Sequence, residues 1–323
     1  MGLTIKIGLL LALAAVVALI VFSVVSFLRP VATTAWLRRV ALRRAGLRKT
    51  KLTTTVGEQV VWHGGAGPLL VLLHGAGDQA GTWNGVAPEL KRHFQLVLPD
   101  LAGHGESAPR QGKLSLGTLL TALEQVLDAV PWRNAPMVIA GNSLGAWVAM
   151  LYAEKHAHRV THVVLIDGGP IRSASAIDIM PKDREDARRI LDNVLDSSTP
   201  RPPDFVLDDL VRVSNSGPIS RLMAAGEDDF SKYLLEEDKL ANFQSPVDLI
   251  WGASDRLVPL DYAKKLQSLL PHCTLTVIER CGHAPQRERP RELTRVLLQI
   301  LAIGSPLAPA GTKSVPTQTG EKS

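Results

Sequence analysis

Along the chain, short apolar runs alternate with stretches whose apolar residues recur at helical spacing. Residues 69–73, 96–98, 137–140 and 163–166 are continuous apolar runs. Residues 247–251 are apolar apart from Asp248, and residues 274–278 are rich in β-forming side chains. Uninterrupted runs of this length predict parallel strands covered on both faces. Between them, residues 118–130, 145–155 and 261–270 carry the apolar spacing of amphipathic helices. The alternation predicts an α/β domain with a parallel sheet and right-handed crossovers. In that architecture functional residues gather at the carboxyl ends of the strands.

Two regions break the rhythm. Residues 168–244 are rich in Asp, Arg, Ser and Pro, with helical patches at 183–195 and 205–213. An insert of this size between two strands predicts a helical lid. The other exception is the N-terminus, where residues 7–28 are 22 uncharged positions, mostly Leu, Ala, Val and Ile. At ~1.5 Å per residue this run spans ~33 Å, enough for a hydrocarbon core of ~30 Å. A buried core helix would carry polar residues along one face, whereas this run has only Ser23 and Ser26. A signal peptide has a shorter apolar region, roughly 7–15 residues, followed by a small-residue cleavage site. Here the run ends in Arg29-Pro30. A retained single membrane span is expected.

Charge sharpens this picture. Residues 1–57 carry nine Lys/Arg and no acid, and the remainder carries 27 Lys/Arg against 31 Asp/Glu. The net charge of +5 therefore resides at the N-terminus, and the acidic body gives no electrostatic footprint for nucleic acid. Lys6 stands on one side of the apolar run and eight basic residues from Arg29 to Lys51 on the other, so the positive-inside rule places the body in the cytoplasm. Trp36, Leu37, Val40, Ala41 and Leu47 form a modest apolar stripe among the arginines. Two arrangements fit it: a helix lying on an anionic leaflet, or a solvated basic linker. The expected organisation is an anchor and juxtamembrane segment over 1–51, a core over 52–167 and 245–303, a cap over 168–244, and a disordered tail over 304–323.

The cysteine pair Cys273 and Cys281 excludes a disulfide scaffold, and no cluster of His and Cys has metal-ligand spacing. The chemistry lies instead in Gly141-Asn142-Ser143-Leu144-Gly145, which follows one predicted strand and opens a predicted helix. This is G-x-S-x-G in the strand–turn–helix setting that exposes a serine nucleophile. The amide of Leu144, at the helix start, is the first candidate oxyanion donor. The second is the amide of Ala76 in His74-Gly75-Ala76-Gly77-Asp78, directly after the 69–73 strand. The glycine spacing in this loop is one residue too long for a dinucleotide fingerprint.

A serine nucleophile needs a base and a group to orient it, here in the chain order Ser, acid, His. Asp255 follows the 247–251 strand and His283 follows the 274–278 strand. Asp167, ending the 163–166 strand, is the alternative acid. Of the other histidines, His156, His158 and His162 surround a helix–strand junction and read as solvated. His63, His93 and His272 have no motif nearby.

These residues resemble the α/β-hydrolase superfamily. The resemblance rests on His74-Gly75 with Trp83, Pro99-Asp100 through Gly103-His104-Gly105 to Ser107, the elbow at Ser143, Gly252 with Asp255, and Gly282-His283 followed by Glu288 and Pro290. It covers roughly residues 56–302. It implies a mostly parallel eight-stranded sheet, a cap over 168–244, and Ser143, Asp255 and His283 as the triad. It also implies acyl transfer through an acyl-enzyme, without metal or organic cofactor. His104, Trp83, Pro99, Glu288 and Pro290 are expected to serve packing and loop shape.

With its anchor, the layout resembles membrane-anchored monoacylglycerol lipases and related esterases. That implies small-molecule acyl ester substrates derived from membrane lipid, such as monoacylglycerols or lysophospholipids. The stretch from Trp251 to Asp261 and Cys281-Gly282-His283 also resembles the carbon–carbon hydrolases of aromatic degradation. Those enzymes usually carry Trp after the histidine, where Ala284 stands here. A non-catalytic ligand-binding member of the fold is the third possibility.

Overall fold

The computed structural model describes residues 2–129, 131–172 and 179–303. They contain one eight-stranded sheet in the order β1-β2-β4-β3-β5-β6-β7-β8. Its strands are β1 (Arg48–Thr54), β2 (Gly57–Gly64), β3 (Leu69–Leu73), β4 (Gln95–Pro99), β5 (Met137–Asn142), β6 (Val160–Ile166), β7 (Val247–Gly252) and β8 (Cys273–Ile278). From β4 to β8 the sheet is parallel, whereas β1, β2 and β4 pair antiparallel. Every residue of β3 is buried, as the unbroken Leu/Val run requires of a strand covered on both faces.

In chain order the helices are α1 (Gly2–Leu28), α2 (Pro30–Arg44), α3 (Ala87–Leu90), α4 (Leu116–Leu127), α5 (Leu144–Lys155), the cap helices α6 (Arg184–Val194), α7 (Asp204–Ser216), α8 (Pro218–Met223), α9 (Glu227–Ser231) and α10 (Glu237–Ala241), then α11 (Leu260–Leu269), α12 (Pro285–Glu288) and α13 (Pro290–Ile303). Two apolar clusters cover the two faces of the sheet. One includes Leu116, Leu123, Val148 and Leu266 from α4, α5 and α11, and the other Leu90, Leu293 and Leu297 from α3 and α13.

β3 lies between β4 and β5, so the chain reverses its direction of travel across the sheet at this strand. The loops leaving β3 and β5 therefore diverge and open a crevice at their carboxyl ends, the position where open α/β sheets bind ligands. Ala76 is on the first loop and Ser143 on the second.

α1 is apolar and solvent-exposed from Ile5 to Leu28, and Thr4–Leu28 is long and apolar enough to cross a membrane. At its end Phe27 stacks on Phe205 of α7 with ring centroids 4.9 Å apart. Pro30 then opens α2, fixing φ at a position whose N–H would be unpaired in any case.

The juxtamembrane expectation is corrected here. α2 is docked on the body: Leu42 and Leu47 are buried in the core, and the Val31 amide donates to Asp209 Oδ2 of α7 at 2.9 Å. Trp36 and Leu37 remain half exposed on its outer side. The sheet also begins at Arg48, four residues inside the segment expected to be juxtamembrane. Two histidines read as solvated are partnered: His156 Nε2 bonds Glu124 Oε1 at 2.9 Å, and His162 bonds Asp248. The expected tail from residue 304 lies outside the described residues.

Candidate active site

The turn from β5 into α5 is tight enough that Ser143 adopts φ 54° and ψ −118°, outside the regions open to unstrained L-residues. A backbone held this way costs on the order of 1–3 kcal/mol and persists only where its surroundings enforce it. The two flanking glycines supply that enforcement. A Cβ on Gly141 would stand 2.2 Å from the carbonyl of Gly145, and one on Gly145 would stand 2.4 Å from the Leu73 oxygen. Gly168, after β6, approaches as closely: a Cβ there would lie 2.6 Å from the Ser143 Cα. Three strands thus converge on the serine with no room for side chains between them.

His283 and Asp255 come from the loops after β8 and β7. The His283 ring bonds Asp255 Oδ2 through Nδ1 at 2.7 Å. Asp255 Oδ1 accepts from the amides of Leu257 and Val258, at 2.9 and 3.0 Å. The carboxylate is therefore fixed by three donors, and the imidazole carries its hydrogen on Nδ1. His283 Nε2 is buried and has no protein partner among the described residues. It is the ring atom left with a lone pair for a proton.

The histidine's backbone is held equally firmly. Its amide donates to the Val194 oxygen at the end of α6, and its carbonyl accepts from Asn142 Nδ2 at 2.9 Å. Gln286 Nε2 in turn donates to Asn142 Oδ1 at 3.0 Å, so the residue before Ser143 is tied to the histidine loop. Glu288 Oε1 accepts from Gly282 N, while its Oε2 accepts from Asp196 N and Thr199 Oγ1 of the cap.

Asp167 ends β6 with φ 48°, fully buried. Its Oδ1 accepts from Gly252 N at 2.8 Å, and Oδ2 has no hydrogen-bond partner among the described residues. Burial, and then the negative charge of Asp255, hold its carboxyl well above the usual carboxylate range. Asp167 lies behind Asp255 with its carboxyl biased towards the protonated form, and the hydrogen bond to His283 belongs to Asp255.

The loop after β3 is shaped by buried polar groups. His74 Nε2 accepts from Leu101 N at 2.9 Å, leaving Nδ1–H to donate to the Gly75 oxygen at 2.8 Å. Asp100 accepts from the amides of Ala80 and Glu106, and burial raises its carboxyl. His104 is buried with Nδ1 against the Ala102 oxygen, its pKa pushed down to about 3 by burial. Trp83 is enclosed in the core. His74, Asp100 and His104 shape these loops, and Trp83 serves packing.

Three cavities meet at this point. The first, about 360 Å³, is lined by Ser143 and Leu144 and by Trp147, Leu222, Phe230 and Leu234. Its walls are mostly apolar and come from α5 and the cap. The second, about 200 Å³, holds Ser143, Asn142 and His283 with Asp78 and Arg287. The third, about 540 Å³, continues from the second towards α2 and is lined by Val31, Ala35 and Arg38. Ala76 borders all three. Among the described residues no group of His, Cys, Asp and Glu has the arrangement of a metal site.

Residues 70–296 match the family model described as "Alpha/beta hydrolase family". The chain belongs to this family. The α/β-hydrolase fold is shared at TM-score 0.73 with a bacterial membrane phospholipase A, 26% identical, across 91% of this chain and 98% of that one. A human monoacylglycerol lipase is 23% identical over 255 residues, covering 73% of this chain and 75% of its own. A 2-hydroxy-6-oxononadienedioate/2-hydroxy-6-oxononatrienedioate hydrolase of Pseudomonas putida is 28% identical over 253 residues, 72% of this chain and 87% of that one.

Within this α/β-hydrolase the fold brings Ser143, His283, Ala76 and Leu144 to the crevice and sets Asp255 behind His283. Sequence reading missed the Asn142–Gln286 bridge. It also missed the work of Glu288, which joins the histidine loop to the cap. Isolated amide and acid side chains carry no periodic signal, so only their contacts reveal them.

Proposed function

We propose that this α/β-hydrolase is a membrane-anchored serine hydrolase of carboxylic esters, acting on lipid-derived acyl esters such as monoacylglycerols or lysophospholipids. The observation that carries the reading is the 2.7 Å Asp255–His283 bond, with His283 Nε2 unpaired among the described residues in the same cavity as the strained Ser143. His283 takes the Ser143 proton as Oγ attacks the ester carbonyl. Asp255 holds the ring and balances its positive charge. The amides of Ala76 and Leu144 stabilise the oxyanion, a contribution worth about 3–4 kcal/mol per donor in such sites. His283 then protonates the leaving alcohol, and water, activated by the same base, releases the acid. The mechanism uses protein groups and water alone.

The lipid preference is supported by the apolar cavity beside Ser143 and by α1, a helix long and apolar enough to hold the body at a membrane. The basic residues after α1 favour a cytoplasmic body. The membrane phospholipase A and the monoacylglycerol lipase resembled above are consistent with this choice. The test is hydrolysis of p-nitrophenyl esters from acetate to palmitate by the detergent-solubilised protein beside Ser143→Ala. Turnover that depends on Ser143 and peaks at medium or long chains is expected. A peak at acetate or butyrate would replace lipid with small esters. No Ser143-dependent turnover would favour carbon–carbon hydrolysis, the activity named for the Pseudomonas putida relative, or a non-catalytic role.

A further inference from the structure

The two cavities that share Ser143 are not equivalent. His283 borders only the second, and its proton must reach the leaving alkoxide. The alcohol half of an ester therefore leaves on the side of His283, and the acyl half occupies the apolar first cavity. On the alcohol side stand two guanidiniums, Arg287 from α12 and Arg38 from α2. They share one carboxylate: Arg38 reaches Asp78 Oδ1 at 3.9 Å and Arg287 reaches Asp78 Oδ2 at 4.0 Å. Both distances are ion-pair separations, too long for hydrogen bonds.

The other charged residues of the third cavity are already engaged. Arg201 Nε bonds Asp192 at 2.8 Å, and its NH1 bonds the carbonyls of Asp196 and Thr199. Glu288 is taken up by Gly282, Asp196 and Thr199. Glu288 keeps its negative charge behind these neutral donors, so what distinguishes Arg38 and Arg287, where the second cavity opens into the third, is that neither guanidinium is hydrogen-bonded to the carboxylate it faces. Burial, together with the nearby Arg287 charge, lowers the Arg38 pKa to about 10, which leaves it cationic at neutral pH. Two guanidiniums that face a shared carboxylate without hydrogen-bonding it keep N–H donors that an anion with several oxygens would satisfy.

We propose that Arg38 and Arg287 form a subsite for a phosphate carried on the alcohol half of the substrate. The assignment rests on the ester-hydrolase reading above and deepens it: the substrate class is a phosphate-bearing acyl ester of the lysophospholipid type rather than a neutral monoacylglycerol. In such a lipid the phosphate is separated from the scissile ester by the glycerol carbons, and the pair is likewise set off from Ser143, with Arg287 in the second cavity and Arg38 in the third. It also gives α2 a chemical role. The juxtamembrane helix contributes a side chain to the site, so the specificity depends on the anchor segment being docked.

The test uses the full chain in detergent micelles with 1-oleoyl-lysophosphatidic acid and 1-oleoylglycerol as paired substrates. The readout is the ratio of their kcat/KM values. Wild-type protein is expected to favour the lysophosphatidate at least tenfold, and Arg38→Gln and Arg287→Gln each to lower the ratio about tenfold. Arg38→Lys and Arg287→Lys should recover part of it, which a general loss of structure would not allow. Inorganic phosphate separates the two sources of the anion. If phosphate inhibits the wild type but not the glutamine variants while wild type shows no lipid preference, the pair is a free-anion site and the headgroup assignment falls. A ratio that glutamine leaves unmoved overturns the subsite altogether. If wild type hydrolyses neither lipid nor any p-nitrophenyl ester, it is the ester-hydrolase reading that has failed.

Discussion

Replacing Asp255 by Asn changes one atom and no volume, yet the geometry dictates a large loss of activity. The two oxygens of Asp255 are not interchangeable. Oδ1 accepts two backbone N–H groups, from Leu257 and Val258, and Oδ2 accepts the imidazole. In the variant the amide oxygen must stay at the Oδ1 position. Turning the amide over would set its NH2 against two buried N–H donors and cost about 1–3 kcal/mol for each group left unpaired. The amide nitrogen then faces His283 Nδ1 as a donor. The imidazole is forced to the other tautomer, with hydrogen on Nε2, and has no lone pair for the Ser143 proton. A wrong tautomer of this kind lowers kcat by about 10⁴ in other triad hydrolases, equivalent to about 5.5 kcal/mol of barrier.

The assay is steady-state hydrolysis of p-nitrophenyl butyrate beside a melting curve. A melting temperature close to wild type is expected, because the two backbone hydrogen bonds survive and the third is kept with its direction reversed. The refuting result is specific. If Asp255→Asn keeps more than a tenth of kcat and the added change Asp167→Asn abolishes it, Asp167 is the orienting acid and the assignment is wrong.

Other expectations follow from single contacts. Asp167→Asn should alter the pH dependence of stability. The carboxyl of Asp167 is raised by burial and by Asp255, so the native state binds more protons than the unfolded chain. Stability supplied by that proton is complete below the ordinary value of 3.8 and is lost as pH rises towards the folded value. The melting temperature of the variant relative to wild type should therefore climb from pH 4 upwards, and parallel curves would contradict the protonated acid. Gly141→Ala would force a methyl onto the Gly145 backbone 2.2 Å away, with a loss of about 3 kcal/mol or more by chemical denaturation. Wild-type stability would show that the elbow has slack. Leu234→Trp should fill the apolar cavity, lowering the rate on p-nitrophenyl palmitate about tenfold relative to acetate. An unchanged chain-length profile would place the acyl group elsewhere.

The parts of this molecule written in local pattern were legible before any coordinates. Uniform apolar runs favour strands covered on both faces, so β3 to β6 follow from composition over a few residues, while β8, a half-exposed edge strand, follows from its β-forming side chains. The elbow was legible for a related reason: only glycine fits at 141 and 145, and that constraint is printed directly in the sequence. An uncharged run of 22 residues fixes α1 by length alone.

Where the information is a contact between distant residues, sequence was silent. β1, with Arg48, Lys49 and Lys51, reads as a basic linker until its pairing with β2 makes it an edge strand. The arginines of α2 look alike in sequence, yet Arg39 lies 4.0 Å from Glu106 while Arg38 is turned to Asp78 and Arg287. Asp167 directly follows β6 and Asp255 lies three residues beyond β7, and the sequence favours Asp255 only through the resemblance carried by Gly252 and Asp255. The tertiary structure separates them by contact: Asp255 meets the imidazole, while burial and the neighbouring Asp255 raise the carboxyl of Asp167.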